Sequence, residues 1–73
     1  MDNIKSITAV RVYGNGNNGN WVARKRMQDG TELFAGIGQG NTLAQAQVMC
    51  QVAGEHNSEL YQPLPAGVTV KAA

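Results

Sequence analysis

The chain has 73 residues, a formal net charge of +1 at pH 7 and one cysteine. This length predicts a single small domain, residues 1–73, with a small core and little room for an enclosed pocket. One cysteine excludes an internal disulfide framework and a thiolate metal cluster, and the small net charge argues against a dedicated nucleic-acid binder.

The first half of the chain predicts an antiparallel β-meander. Residues 4–13 are rich in β-branched side chains and predict a first strand. Residues 20–27 and 31–37 predict a second and a third strand, and Asp29-Gly30 between them is a strong hairpin signal. Alternation in the second strand places these residues on one face: Trp21, Ala23, Lys25 and Met27. In the third strand the shared face is predicted to carry Leu33, Ala35 and Ile37.

Gly14, Gly16 and Gly19 match the spacing of a dinucleotide-binding turn. That turn must lie between a strand and a helix, whereas here a predicted strand follows the glycines. We therefore expect a long Gly/Asn hairpin loop and no bound cofactor.

A helix is predicted over residues 43–53. Thr42 and Gln45 match a capping box, and a turn capped in this way is favoured over an anion site at Gly38–Asn41. The expected buried stripe contains Leu43, Ala46, Met49, Cys50 and Ala53, widened by Val48 and Val52. Whether the helix stops at Gly54 or continues towards Tyr61 stays open.

Pro63 and Pro65 predict an extended tail, and residues 67–70 could form a short fourth strand. The predicted fold is α+β: a three-stranded antiparallel meander packed against one helix, with this tail. No apolar run approaches the length of a membrane span and no signal peptide is evident, so a cytoplasmic protein without membrane contact is expected.

Catalytic chemistry is not expected. Cys50 and His56 point in different directions on a helix, and the carboxylates show no pairing typical of acid/base catalysis. The sequence therefore predicts no enzyme, no metal site and no cofactor.

Arginines on the second strand mark the candidate binding surface. Arg24 and Arg26 share the face opposite Trp21, and if the helix covers the Trp21 side, Lys25 should lie at its rim. The predicted binding residues on this open face and its loops are Arg24, Arg26, Phe34, Arg11, Asn17 and Asn18. Such a face suits a protein partner, a nucleic acid or plain solvation.

Two families share features with the chain. The segment "GNTLAQAQVMCQVAGEH" resembles the strand-to-helix segment of HicB-type antitoxins, with Gly40, Thr42 and Ala46 at the matching positions. The layout of residues 19–23, 29–30 and 44–53 is similar to that of small phage-encoded anti-CRISPR proteins. The second resemblance implies a protein that blocks a host nucleoprotein machine by occupying its surface.

The expected function is a non-enzymatic binding module, a phage or bacterial accessory protein that inhibits or modulates a host nucleoprotein complex by docking on its surface. The expected partner is a protein or nucleoprotein complex, with nucleic acid as a further possibility. One alternative is a small DNA- or RNA-binding domain that uses the open sheet face. Another is a self-associating, antitoxin-like regulator, a homodimer paired through a sheet edge.

Overall fold

The computed structural model describes residues 4–52 and 60–71 and confirms the α+β class. Its elements in chain order are β1 (Ile4–Gly14), β2 (Asn17–Met27), β3 (Glu32–Ala35), α1 (Leu43–Val52) and β4 (Thr69–Lys71). They form one four-stranded sheet in the order β3-β2-β1-β4, with every neighbouring pair antiparallel. The predicted fourth strand is therefore present, at the β1 edge. Ala53 and Gly54 lie outside the described residues.

The hairpin between β1 and β2 is tight, so the expected long loop is wrong. Gly14 pairs with Asn17, which leaves Asn15 and Gly16 as the turn. Both have positive φ, 50° and 85°. Two left-handed residues give the turn whose twist matches that of antiparallel strands. Residues assigned to a loop from the sequence thus extend both strands.

Gly19 forms a bulge in β2. Val12 pairs with Asn20 and Tyr13 with Asn18, so Gly19 has no partner on β1. Its φ of +80° is one that glycine adopts without strain. The bulge brings the Gly19 carbonyl oxygen within 3.3 Å of Arg11 Nε, which donates a hydrogen bond to it.

The second hairpin follows its prediction more closely. The Thr31 backbone N–H donates to the Asp29 carboxylate at 2.9 Å, and this hydrogen bond lowers the pKa of Asp29. β3 ends at Ala35 because Gly36 turns the chain with φ +94°. Ile37 then packs on the other side of the sheet from Leu33, contrary to the expected alternation.

Helix α1 covers the sheet face that carries Ala23, called here the helix face. Ala46 is fully buried, and Met49 and Cys50 pack against Ala23 and Ala35. The predicted capping box is present: Thr42 N–H donates to Gln45 Oε1 at 2.7 Å, and Gln45 N–H to Thr42 Oγ1 at 3.3 Å. Val48 is 56% exposed, so the expected widening of the apolar stripe at this residue is wrong.

Residues 60–71, called the tail, cover part of the opposite face of the sheet. Tyr61 packs on the helix face, and Gln62 then pairs with the outer edge of β3 through two backbone hydrogen bonds with Phe34, of 2.7 and 2.9 Å. Leu64 and Val68 pack on the tail face against Val12, Val22 and Phe34, before β4 joins β1. The sheet therefore lies between a helix and an extended segment.

Candidate functional site

The sheet face that the sequence predicted to be open is half covered. Phe34 is 3% exposed and lies in a cluster with Val12, Val22 and Val68. The expectation that Phe34 sits on an exposed binding surface is therefore wrong, because the tail crosses this part of the face.

Arg24 and Arg26 do share the tail face, but an acid that the sequence reasoning missed neutralises part of their charge. Glu32 pairs with Arg26 in the β2–β3 register, and its Oε2 lies 2.6 Å from Arg26 Nη2 and 3.9 Å from Arg24 Nη1. Arg24 also contacts Thr8 Oγ1 at 3.4 Å. The Asp29-Gly30 turn is the signal that could have found this pair, since it sets Glu32 opposite Arg26.

Arg11 lies on the helix face, away from Arg24 and Arg26. It pairs with Trp21 across the β1–β2 hairpin, and its guanidinium lies 5.6 Å from the Trp21 ring and 5.8 Å from the Tyr13 ring. Arg11 is exposed, but the expectation that it shares a face with Arg24 and Arg26 is wrong, because the register pairs it with Trp21 on the helix face.

Asn17 and Asn18 take different roles at the end of the sheet. Asn17 is buried, donating through Nδ2 to the Gly14 carbonyl at 2.8 Å and accepting from Gly38 N–H at 3.1 Å. It therefore holds the two glycine-rich segments together and is not available to a partner. Asn18 is exposed on a shallow cleft of about 380 Å³ lined by glycine and asparagine only: Gly16, Asn17, Asn18, Gly19, Asn20, Gly38, Gly40 and Asn41.

Lys25 lies inside the helix face, not at its rim. Its side chain is 3% exposed and its Nζ lies 4.4 Å from the centroid of the Tyr61 ring. The aromatic face, which carries negative electrostatic potential, stabilises the ammonium there. Tyr61 at the start of the tail covers this cation, which sequence alternation alone could not show.

A groove of about 690 Å³ runs between α1 and β1 on the helix face. Its floor is formed by Ile7, Thr8 and Ala9 of β1 with Trp21 of β2, and its wall by the helix residues Leu43, Gln47, Cys50 and Gln51. Leu43 is 40% exposed at one end. The chain's one cysteine lines this groove, and burial raises the pKa of the Cys50 thiol.

The outer edge of β1 beside this groove is open within the described part of the chain. β4 pairs only with Arg11, Val12 and Tyr13, so residues 4–10 have β2 on one side and no described strand on the other. Backbone N–H and C=O groups along such an edge can accept a further strand. The expected pairing through a sheet edge could not be located on the sequence, because the place of the open edge depends on where β4 joins the sheet.

Beyond the groove, two cations lie against two aromatic rings. We call Arg11, Tyr13, Trp21 and Lys71 the cationic strip. Lys71 Nζ lies 5.5 Å from the Tyr13 ring, and Arg11 contacts both aromatic rings at the distances given above. Trp21 belongs to the groove and to the strip, so the two surfaces are continuous.

The described residues offer no grouping of three or more His, Cys, Asp or Glu side chains that could hold a metal ion. Within residues 4–52 and 60–71, no helix is long and apolar enough to cross a membrane.

Comparison of the chain with protein-family models, with curated proteins and with solved structures finds no match.

Proposed function

We propose that this chain is a non-enzymatic binding module that occupies the surface of a partner protein, free or within a nucleoprotein complex. It does so by accepting an extended segment of the partner along the open edge of β1. The observation that carries the proposal is the coincidence of that edge with the groove beside α1.

The edge supplies affinity through the backbone. Ile4 and residues 6–10 pair with β2 on one side, with a register shift at Lys5, and a segment added on the other side would satisfy the main-chain groups that point away from β2. This mode of recognition uses main-chain hydrogen bonds for affinity and side-chain pockets for specificity. The regular run of residues 6–10, which has no outer partner among the described residues, matches the length of an ordinary strand.

The groove supplies the side-chain pocket. An added strand points alternate side chains to the helix face, where Ile7, Ala9 and Trp21 form an apolar floor. Leu43 and Cys50 contribute apolar wall, while Gln47 and Gln51 offer amide groups at the rim. Such a pocket favours apolar side chains spaced two residues apart in the bound segment.

The tail face is a weaker candidate for the same role. Its apolar half is already covered by Leu64 and Val68, and its polar half contains an internal ion pair. A partner would have to separate Arg26 from Glu32 or bind without using that charge.

The test is selection of a random phage-displayed peptide library on the immobilised protein, followed by titration of the selected peptides. We expect peptides with alternating apolar residues, and we expect them to slow alkylation of Cys50 by N-ethylmaleimide. Since the chain has one cysteine, the alkylation rate reports occupancy of the groove.

Two helix variants locate the binding. Leu43→Glu places a charge at the groove and should weaken the binding of the selected peptides by about tenfold or more. A tenfold change in the dissociation constant corresponds to about 1.4 kcal/mol of binding free energy. An acid in the first turn suits the helix dipole, so α1 should remain folded. Val48→Glu is the matched control, because Val48 is exposed on the same helix and does not line the groove.

Three results would contradict the proposal. One is that no peptide is selected. Another is that bound peptides leave the Cys50 alkylation rate unchanged. The third is a stable dimer in sedimentation that Leu43→Glu dissociates, which would make a second copy of the chain the occupant of the edge.

A further inference from the structure

We infer that the partner segment is acidic where it reaches the cationic strip; the inference rests on the proposed docking of that segment along β1. Its basis is a pair of cations that the sheet register holds together next to the end of the groove.

Arg11 and Lys71 are direct cross-strand partners. They are paired in the β1–β4 register, so their side chains leave the sheet on the same face. Like charges directly opposite each other destabilise a sheet. An anion bound between them would remove this repulsion, so the register itself creates a preference for negative charge.

Both cations are already held in place. Arg11 Nε donates to the Gly19 carbonyl, and its guanidinium lies against Trp21 and Tyr13. Lys71 Nζ lies 5.5 Å from the centroid of the Tyr13 ring, which Arg11 also contacts. The remaining guanidinium N–H groups can donate to a carboxylate, whose binding therefore costs little ordering of the arginine.

The acids that the structure describes are elsewhere. Asp29 and Glu32 belong to the β2–β3 hairpin, at the opposite end of β2 from its turn with β1, and Glu32 is engaged by Arg26 on the tail face. Of the other basic residues, Arg24 and Arg26 contact Glu32, Lys25 is buried under Tyr61, and Lys5 is exposed near the start of β1, at the other end of the open edge from Arg11. Arg11 and Lys71 thus form an exposed cationic pair on the helix face.

The place of β4 fixes where the acid must lie. A segment that pairs with residues 6–10 of β1 runs towards Lys71 of β4, because Lys71 pairs with Arg11, the next residue of β1. The acidic side chain, or a terminal carboxylate, therefore belongs at the end of the segment that abuts Trp21 and Arg11. Apolar residues belong in the part that lies along α1.

Charge also separates this partner from its competitors. β1 carries Lys5 and Arg11 and no acid, so pairing with a second copy would bring two basic strands together. A single-stranded nucleic acid could place a phosphate between the same two cations, but its backbone cannot use the open edge of β1. An acidic extended peptide uses the edge, the groove and the strip together.

The experiment is a double-mutant cycle on a peptide obtained from the selection described above. The selected sequences should carry Asp or Glu at one end. We expect Glu→Gln in the peptide and Lys71→Gln in the protein each to weaken binding by about tenfold, and the two changes together to weaken it little further. Arg26→Gln, the same change of charge on the tail face, should leave the affinity within about twofold.

Lys71 is exposed at the end of β4, so Lys71→Gln should keep the fold; equal thermal midpoints by circular dichroism verify this. Raising the salt concentration should weaken the binding of the acidic peptide and should leave the binding of its glutamine counterpart unchanged. These comparisons isolate the charge interaction from the rest of the docking.

Selected peptides that are neutral, or two effects that simply add, would overturn the acidic partner and leave strand docking standing. A different result would identify a nucleic acid as the partner in place of a peptide. In that case oligothymidylate binds the protein more tightly than any selected peptide does, and the Arg11→Gln/Lys71→Gln variant no longer binds it. Failure to select any peptide would overturn the docking mode and this inference with it.

Discussion

Tyr61 fixes the tail to the helix face of the sheet. Its ring packs with Ala23 and Ala35, and its hydroxyl donates to the Met49 carbonyl at 3.3 Å near the end of α1. Burial, with a smaller contribution from the Cys50 thiolate, raises the pKa of Tyr61 to about 12. The phenol must stay protonated to donate this hydrogen bond, so the stability of the fold should fall at alkaline pH, where the phenol ionises.

Alkaline unfolding should therefore depend on Tyr61. Its pKa is raised from 10.0 to about 12 on folding, so its contribution is fully present below pH 10 and is lost as the pH rises from 10 to 12. At pH 11 the loss should be about 1 kcal/mol. Urea midpoints at pH 9 and pH 11 measure it, and Tyr61→Phe should show a smaller drop. An equal drop in both proteins would contradict the assignment.

Gly14 and Gly16 give a second prediction at this scale, because they share positive φ but differ in surroundings. A Cβ on Gly14 would collide with the Gly67 backbone carbonyl, whereas one on Gly16 would meet open space. Gly16→Ala should cost about 1 kcal/mol from backbone conformation alone. Gly14→Ala should lower the free energy of unfolding clearly more, because β1 and the tail must move apart to accommodate the methyl group. Urea titration of the two variants measures the difference. Equal costs would show that the contact carries no stability.

At the scale of elements, the capping box sets where α1 begins. Thr42 and Gln45 satisfy each other's backbone N–H groups, so two of the donors at the start of the helix have partners within the chain. The same interaction orients Leu43 at the end of the groove, because Leu43 is the first residue of the helix. A local capping pair therefore contributes to the shape of the proposed binding surface.

Replacing the cap should lower stability without a change of fold. Thr42→Ala removes the hydroxyl acceptor of Gln45 N–H and should cost about 1 kcal/mol, while Thr42→Ser should cost much less. Thermal or urea unfolding followed by circular dichroism measures both variants. Equal stability of the alanine and serine variants would show that the hydroxyl makes no net contribution.

The elements that depend on local sequence pattern could be predicted from the sequence. The features that could not be predicted depend on contacts between residues far apart in the chain. Alternation assigned the two faces of β2 correctly, and Asp29-Gly30 located its turn. The first turn was missed because Asn15-Gly16 and Asn18-Gly19 are equivalent signals in one run. Tertiary contacts at the tip distinguish them: Asn15 donates to the Ala66 carbonyl, and Gly14 lies against Gly67.

The candidate site was predictable only in part for the same reason. Arg24 and Arg26 were placed on one face correctly, since that depends on strand alternation alone. The burial of Phe34 and the position of Arg11 relative to Lys71 depend on the route of the tail. Two prolines and a short β-branched run predict an extended segment but contain no information about which face it crosses.

At the scale of the whole molecule, the tail is one of three layers. Val12 and Val22 have no exposed surface, and the residues that cover their side of the sheet include Leu64 and Val68. A domain this small has few other apolar contacts with which to offset conformational entropy. The tail therefore belongs to the core and is not an appendage of a sheet-and-helix unit.

Weakening the tail should unfold the domain as a unit. Leu64→Ser/Val68→Ser removes one buried and one partly buried apolar side chain and should cost about 3 kcal/mol, a large part of the stability of a small domain. We expect a lower midpoint and loss of α1 and the sheet in one transition by circular dichroism. A sheet-and-helix signal that melts at the unchanged temperature would contradict this view of the tail.

The route of the tail also orders the events of synthesis on the ribosome. Phe34 and β1 both pair with residues 60–71, which follow both hairpins and the helix in the chain and therefore leave the ribosome after them. Until then the nascent chain exposes Val12, Val22 and Phe34 together, a surface suited to a chaperone. Closure of the tail is thus a late, long-range step, and it should limit the refolding rate even though both hairpins and the helix are local.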